Sequence, residues 1–192
     1  DSASRGLGDV YKRQVLQPRF LQAITAAAFA YAVMSFLMTA TPLSMHVMEN
    51  MSLKETGLVL QFHVVAMFLP SLITGNLIKK YGHSTIIYGG VLFFFITVLL
   101  SLFEQTYLNY MLSLIFLGLG WNFLFISGTS LVVLTYNKGE KFKVQGVNDL
   151  FVFSTMALAS LSAGILLNSI GWKMMHLICI PFLILILSLI HI

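Results

Sequence analysis

Long apolar runs constrain this sequence more than any other feature does. Each run is about 20 residues or longer, enough for a helix that rises about 1.5 Å per residue to cross roughly 30 Å of hydrocarbon. Short stretches containing turn-forming residues separate the runs. The pattern therefore predicts an all-α integral membrane protein with six transmembrane helices, whereas a water-soluble core would use shorter helices. The six runs are 20–41, 56–78, 84–103, 108–136, 148–169 and 173–190.

The charge content supports the same class of protein. Only 9% of the residues are charged and 58% are hydrophobic, whereas soluble domains carry about 25% charged residues. The net charge is +4, but the basic residues lie between the apolar runs, which favours membrane orientation over nucleic-acid binding. The single cysteine, Cys179, excludes a disulfide within the chain. No nucleotide-binding P-loop motif is present, so we expect neither a cofactor nor direct use of ATP.

The basic residues also predict how the helices are oriented. Cytoplasmic loops of membrane proteins carry an excess of lysine and arginine. With six helices, one side of the membrane has six basic residues and the other has two, so the first side is expected to be cytoplasmic. Both ends of the six-helix unit then face the cytoplasm, in the plasma (inner) membrane of a bacterium. The first set is Arg19, Lys79, Lys80, Lys138, Lys141 and Lys143, and the second is Lys54 and Lys173.

Both ends of the chain differ from its middle. Residues 1–14, DSASRGLGDVYKRQ, are polar and aperiodic and lack the order of a signal peptide. They resemble a translated sequencing-library adapter, as does the terminal LSLIHI. We therefore expect 1–14 to be a non-native, disordered tail and about 187–192 to be non-native as well. The domain is then 15–192, a fragment of a gene that extends beyond both ends.

One interhelical loop carries a recognisable motif. The segment GNLIKKYGH (75–83) lies between the second and third runs and resembles the G-x-L-x-D-R-x-G-R-R loop of the major facilitator superfamily. Gly75 would let the helix end pack closely and Gly82 permits a tight reversal. Lys79 and Lys80 would anchor the loop at the cytoplasmic face. Lys79 stands where the family has an aspartate, so the role of that acid does not carry over.

A second loop strengthens the resemblance. The segment EKFKVQG (140–146) is similar to the family's E-R/K-x-x-x-Q-G loop through Glu140, Lys141, Gln145 and Gly146. The fourth run lacks the arginine, and the fifth lacks the proline-glycine motif, that mark the family's first half. The resemblance therefore implies helices 7 to 12 of a twelve-helix permease, whose N-terminal half is the missing partner. It implies a secondary transporter (uniporter, symporter or antiporter) that moves a small solute by alternating access, with or without a coupling proton or cation.

Polar residues within the apolar runs are candidates for the solute site, because polar groups at membrane depth are costly. Trp121 and Asn122 lie near the middle of the fourth run, and we predict that they line the substrate cavity, with helix–helix contact as the alternative. His63 and Gln61 lie in the outer half of the second run. An imidazole there could bind solute or accept a proton, and a hydrogen bond to a neighbouring helix explains it equally well.

Charged residues at the inner ends of the runs are candidates for a gate. Asn148 and Asp149 are predicted to open the fifth helix, where capping explains an acidic residue near the positive end of the helix dipole. Asp149 could also contact Lys79 or Lys80 when the inner side is closed. With Gly75, Gly82, Glu140 and Lys141, these residues form the predicted cytoplasmic loop and gate.

Two other functions are alternatives to transport. A six-span serine protease of the rhomboid type would use Ser130 with His176, but the expected G-x-S-G motif is absent. The predicted topology also places the two side chains on opposite sides of the membrane, out of the hydrogen-bond reach that an activated serine needs. A non-transporting receptor of the same fold is the second alternative, and nothing in the sequence favours it. We therefore expect a transporter that is not an enzyme.

Overall fold

The computed structural model describes residues 17–137 and 139–190, which form helices joined by short turns. The predicted tail, 1–14, lies outside the described residues, as do Lys138 and the last two residues. In chain order the helices are α1 (Pro18–Pro42), a π-helical turn that continues α1 (Leu43–Met48), α2 (Leu53–Phe68), α3 (Ser71–Tyr81), α4 (His83–Ser101), α5 (Tyr107–Val133), α6 (Lys141–Leu177) and α7 (Ile180–Ile190).

Five stretches of these helices are long and apolar enough to cross a membrane, which confirms an all-helical membrane protein. They are Pro18–Met48, Leu53–Tyr81, His83–Ser101, Tyr107–Val133 and Lys141–Ile190. The first four correspond in order to the first four apolar runs. The last is 50 residues long and contains both remaining runs, so the count of six stays a prediction.

Breaks within two of these stretches follow from single residues. Proline has no N–H and cannot continue the helical hydrogen-bond ladder, and α2 ends just before Pro70 while α3 begins just after it. The N–H of Thr74 then bonds to the carbonyl of Pro70 at 2.9 Å and starts the new helix. Within α6, Gly171 has φ 77° and ψ 170°, a conformation that glycine adopts without the steric cost that a side chain would add.

Small residues let the helices approach closely in the interior of the bundle. Ala23, Ala27 and Ala30 of α1 have no exposed surface. A Cβ added to Gly128 of α5 would lie 2.8 Å from the carbonyl oxygen of Ala23 and 2.9 Å from the backbone nitrogen of Ala27. Lipid gives helices no hydrophobic reason to associate, so close backbone packing of this kind takes over that role. Helices α1 and α5 therefore form the centre of the bundle.

The C-terminal end of α1 is anchored to α5. The last turns of α1 widen into the π-helical turn Leu43–Met48. Within this turn, the Ser44 hydroxyl is buried and lies 2.6 Å from the Tyr110 hydroxyl near the start of α5. The Tyr110 ring in turn packs on Trp172 at a centroid distance of 4.9 Å. These contacts join α1, α5 and the segment after Gly171 at one end of the bundle.

The outer surface of the bundle is apolar. Leu72 on α3, Leu161 on α6 and Phe142 at the start of α6 are 77%, 77% and 86% exposed. Patches of large apolar side chains on this scale are rare on water-soluble monomers. They suit contact with lipid tails or with another part of the same membrane protein.

The seam between α2 and α5 yields a first prediction. A Cβ at Gly118 would meet the His63 carbonyl oxygen at 2.7 Å, the Ala66 Cβ at 2.9 Å and the Met67 nitrogen at 3.0 Å. Gly118→Ala should therefore push the helices apart and lower the free energy of unfolding by about 1–3 kcal/mol. Thermal unfolding of the detergent-solubilised whole protein measures this effect.

The matched control lies on α2 itself. A Cβ at Gly57 would meet no atom within 4 Å, so Gly57→Ala should leave the melting temperature unchanged or raise it slightly, since alanine favours a helix. Equal melting temperatures for the two variants would contradict close packing at Gly118.

Candidate functional site

Asn122 is completely buried between α5 and the junction of α2 and α3. Its Nδ2 donates to the Met67 carbonyl at 2.6 Å and to the Ser71 hydroxyl at 2.7 Å. The Thr74 hydroxyl donates to its Oδ1 at 2.7 Å. This amide therefore connects three helices, as in the helix–helix alternative that the sequence left open. Its contact with a solute stays a prediction.

The interruption at Pro70 explains why an amide is needed there. Carbonyls in the last turn of a helix have no intrahelical donor, and Met67 lies in the last turn of α2. In hydrocarbon no water can replace that donor, so an unpaired carbonyl would cost free energy. Asn122 supplies the donor from the neighbouring helix.

Trp121 is the centre of an aromatic cluster that we define as Tyr31, Phe68, Trp121, Phe125 and Phe153. The Trp121 ring is nearly parallel to Phe125, with a centroid distance of 4.9 Å and an interplanar angle of 12°. Tyr31 meets both rings edge-on, at 5.3 Å from Trp121 and 5.2 Å from Phe125. Phe68 lies 5.8 Å from Trp121, and Phe153 lies 6.1 Å from Tyr31. The cluster therefore collects rings from α1, α2, α5 and α6.

The cluster combines a buried centre with exposed rims. Trp121 is only 4% exposed, whereas Phe68 and Phe153 are 58% and 50% exposed. The indole Nε1 of Trp121 is buried and has no hydrogen-bond partner among the described residues. A buried donor without an acceptor costs about 1–3 kcal/mol. The sequence predicted Trp121 but not the other four rings of the cluster, although the spacing of Trp121 and Phe125 puts both on one face of α5.

His63 and Gln61 point to different surroundings, as their spacing indicates. His63 is fully buried, and its Nδ1 lies 2.7 Å from the Leu114 carbonyl of α5, so this nitrogen carries the proton and donates it. The other ring nitrogen, Nε2, has no partner among the described residues. Gln61 is exposed. Their contact with a solute or a proton stays a prediction.

The loop between α3 and α4 contains the predicted tight reversal. Gly82 has φ 83°, in the region that glycine tolerates best. Lys79 and Lys80 are exposed, and the Lys80 ammonium lies 5.0 Å from the centre of the Tyr81 ring. The described residues do not supply the close packing expected at Gly75, because Gly75 is exposed and a Cβ there would meet no atom within 4 Å. That packing stays a prediction.

The start of α6 differs from the prediction. The helix begins at Lys141, after Glu140 as its N-cap, rather than at Asn148. Asn148 and Asp149 therefore lie two turns inside the helix and cannot cap it, which corrects the capping interpretation. The Asn148 Nδ2 donates to the Asp149 carboxylate at 3.0 Å. No ion pair to Lys79 or Lys80 is recorded for Asp149 in the described part of the chain, and the gate contact stays a prediction.

The residues of the protease alternative are far apart. The Ser130 hydroxyl donates to the carbonyl of Ser127 in its own helix at 3.1 Å. His176 contacts Trp172, whose ring packs on Tyr110 near the opposite end of α5. Twenty residues of helix separate Tyr110 from Ser130, which is about 30 Å. No serine–histidine pair capable of nucleophilic catalysis therefore forms from these residues.

Long apolar helices with polar groups only at the ends and in a few central positions define an integral membrane protein. The family model described as Major Facilitator Superfamily matches residues 23–191 of this chain. The chain belongs to the major facilitator superfamily, which confirms the resemblance carried by the two loops. The family is one of transporters rather than enzymes.

Three relatives give the comparison more detail. The chain is 38% identical over 183 residues to the riboflavin transporter RfnT of Brucella anthropi, covering 95% of this chain and 45% of that protein. It is 30% identical over 156 residues to the uncharacterized MFS-type transporter YdeG of Bacillus subtilis, covering 80% and 36%. It is 33% identical over 165 residues to YddS of the same organism, also an uncharacterized MFS-type transporter, covering 81% and 37%. The chain thus spans less than half of the length of each relative.

The hydrogen bonds of Asn122 yield a second prediction. Asn122→Leu should leave the Met67 carbonyl and the Ser71 and Thr74 hydroxyls without this partner, and should lower the unfolding free energy by about 1–2 kcal/mol. Thr129→Val on the same helix is the control, because the Thr129 hydroxyl bonds only to carbonyls of its own helix.

Thermal unfolding of the whole protein carrying each variant measures the two losses of stability, and the loss should be larger for Asn122→Leu. A double-mutant cycle of Asn122→Leu with Thr74→Val should give a coupling energy of about 0.5–1.5 kcal/mol. Additive effects would contradict the bond between these two side chains.

Proposed function

We propose that the whole protein is a secondary transporter that moves a small solute across the membrane by alternating access. Family membership is the observation that supports this proposal most directly. In such carriers, two halves rock about a solute site near the middle of the bilayer. The described chain would supply the C-terminal half of a twelve-helix fold, with the N-terminal half as its partner in the same polypeptide.

Six membrane passes fit the described helices better than five. The stretch Lys141–Ile190 has 50 residues, and a continuous helix of that length would extend about 75 Å, more than twice the hydrocarbon thickness. Gly171 interrupts this stretch with a non-helical conformation. Two passes joined at Gly171 would accommodate the length, and would return the chain to the side from which α1 starts.

Riboflavin is the solute that we propose. The relative with a named solute is the riboflavin transporter RfnT, which is similar over nearly the whole chain. Trp121 lies in the aromatic cluster, and such a cluster of rings suits a neutral aromatic solute. Asn122 lies beside Trp121 on α5, and His63 and Gln61 lie on the neighbouring helix α2. The buried imidazole of His63 is our candidate for a coupling proton, if one is used. A cation remains the alternative coupling ion.

Transport by the whole protein tests this function. Reconstituted into vesicles, it should take up radiolabelled riboflavin with saturable kinetics that empty vesicles lack. Trp121→Phe removes the indole N–H and should reduce kcat/KM by about tenfold, if that donor meets the solute.

The control is the other tryptophan of the chain. Trp172 is also buried, but it lies at the end of the bundle against Tyr110, so Trp172→Phe should change kcat/KM by less than about twofold. A whole protein that moves no solute from a broad panel would refute the transporter function. Equal losses in both variants would refute the solute role of Trp121.

The proposed orientation places the predicted loop and gate in the cytoplasm. Lys79, Lys80, Glu140, Lys141 and Asp149 would then face the same side of the membrane. Cys179, the chain's own thiol, is 2% exposed, so it gives a low background for cysteine labelling once other cysteines of the whole protein are replaced. Labelling of Lys80→Cys and Lys141→Cys with an impermeant maleimide should require permeabilised cells in both cases. Labelling of one of them in intact cells would contradict the two passes between them and the proposed orientation.

A further inference from the structure

The aromatic cluster brings together four helices near the middle of the bundle. Tyr31, Phe68 and Trp121 each lie near the middle of a candidate membrane span, on three different helices. Phe153 adds a ring from α6. A ring at membrane depth needs no special reason, because aromatic side chains are good packing groups. Convergence from four helices, with half-exposed rings at the rim, is what distinguishes this cluster.

A second group of rings shows what ordinary packing looks like in the same bundle. Phe93 of α4 lies 5.8 Å from Phe116 and 5.4 Å from Phe123, both on α5. This group joins only two helices. Phe123 and Phe125 are both partly buried and lie on different faces of one helix, so they form a matched pair for experiments.

The chemistry around the cluster restricts the solute. Within two turns of Tyr31, Phe68 and Trp121 along their own helices, the sequence has no lysine, arginine, aspartate or glutamate. A charged solute would therefore find no counter-charge within two turns of these three rings, and on α6 Asp149 lies one turn before Phe153. The cluster itself carries two polar groups, the Tyr31 hydroxyl and the Trp121 N–H. The Trp121 N–H has no hydrogen-bond partner among the described residues, and it matches a carbonyl or a ring nitrogen of a solute.

From these contacts we propose that the cluster binds the planar heteroaromatic ring system of the solute by stacking, and that it recognises this ring rather than a polyol chain attached to it. Tyr31 and Phe125 are then specificity-determining residues. Stacking of a heterocycle on an aromatic side chain contributes enough to change affinity by about tenfold per ring. This inference rests on the proposed function, and it adds which part of the solute is read and which residues read it.

Competition experiments separate the ring from the chain. The whole protein in vesicles is incubated with radiolabelled riboflavin and with one of two competitors. Lumichrome keeps the three-ring system and lacks the ribityl chain, so its inhibition constant should lie within about tenfold of the riboflavin KM. Ribitol carries the chain alone and should not compete at a thousandfold excess. Competition by ribitol without competition by lumichrome would overturn the proposal.

Matched variants then locate the ring site. Phe125→Leu and Tyr31→Leu should each raise the lumichrome inhibition constant and the riboflavin KM by about tenfold, while Phe123→Leu changes both by less than about twofold. Tyr31→Phe keeps the ring and should restore most of the affinity. Melting temperatures of all variants exclude unfolding as the cause of a loss.

Three outcomes keep the inference separate from the function on which it rests. Equal losses in Phe125→Leu and Phe123→Leu would mean that the cluster only packs the helices, and would overturn the inference while transport stands. A whole protein that moves other solutes but neither binds nor moves riboflavin would overturn the inference and the proposed solute. Failure to move any solute would refute the transporter function itself.

Discussion

Hydrocarbon offers no hydrogen-bond partners, so each polar backbone group within the bilayer has to be satisfied by the protein itself. Continuous helices meet this requirement without help, and most of the chain is built from them. Where Pro70 interrupts the second span, the requirement passes to another helix. Asn122 meets it by donating to the Met67 carbonyl, and Ser71 and Thr74 complete its hydrogen bonds. The buried amide of Asn122 in the centre of α5 is therefore explained by the helix interruption at Pro70, between α2 and α3.

Different faces of α5 carry different kinds of residue, and each face has its own role in the bundle. Gly118 and Gly128 let the backbones of α2 and α1 come close, at distances where a side chain would collide. Trp121 and Phe125 lie one turn apart and face the rings of Tyr31 and Phe68. Small residues thus fix the spacing of the helices, and large rings occupy the wider space that remains between them. We place the proposed solute site in the second region because exposed rings accompany a buried one there.

Hydropathy alone predicted the first four spans well, since their length is set by the thickness of the bilayer. It placed the start of α6 seven residues too late, because two lysines and a glutamine interrupt the apolar pattern of the helical segment 141–145. Apolarity marks the membrane rather than the helix. Trp121 and Asn122 were recognisable as polar groups in an apolar run. Their partners could not be recognised from the sequence. Tyr31 and Met67 are typical of their own apolar runs, and their roles depend on contacts with another helix. At Gly75 the sequence motif predicts close packing, and the described residues do not supply it.

The π-helical turn at the end of α1 affects which side chains that helix presents. Such a turn is wider than an α-helical turn, because its hydrogen bonds join residues five apart, as from the Glu49 N–H to the Ser44 carbonyl at 3.0 Å. Before this turn α1 offers alanines to its neighbours, and within it Ser44 reaches the Tyr110 hydroxyl. The change of helical pitch thus lets one span present two unlike surfaces, one to the alanine-lined interior and one to the start of α5.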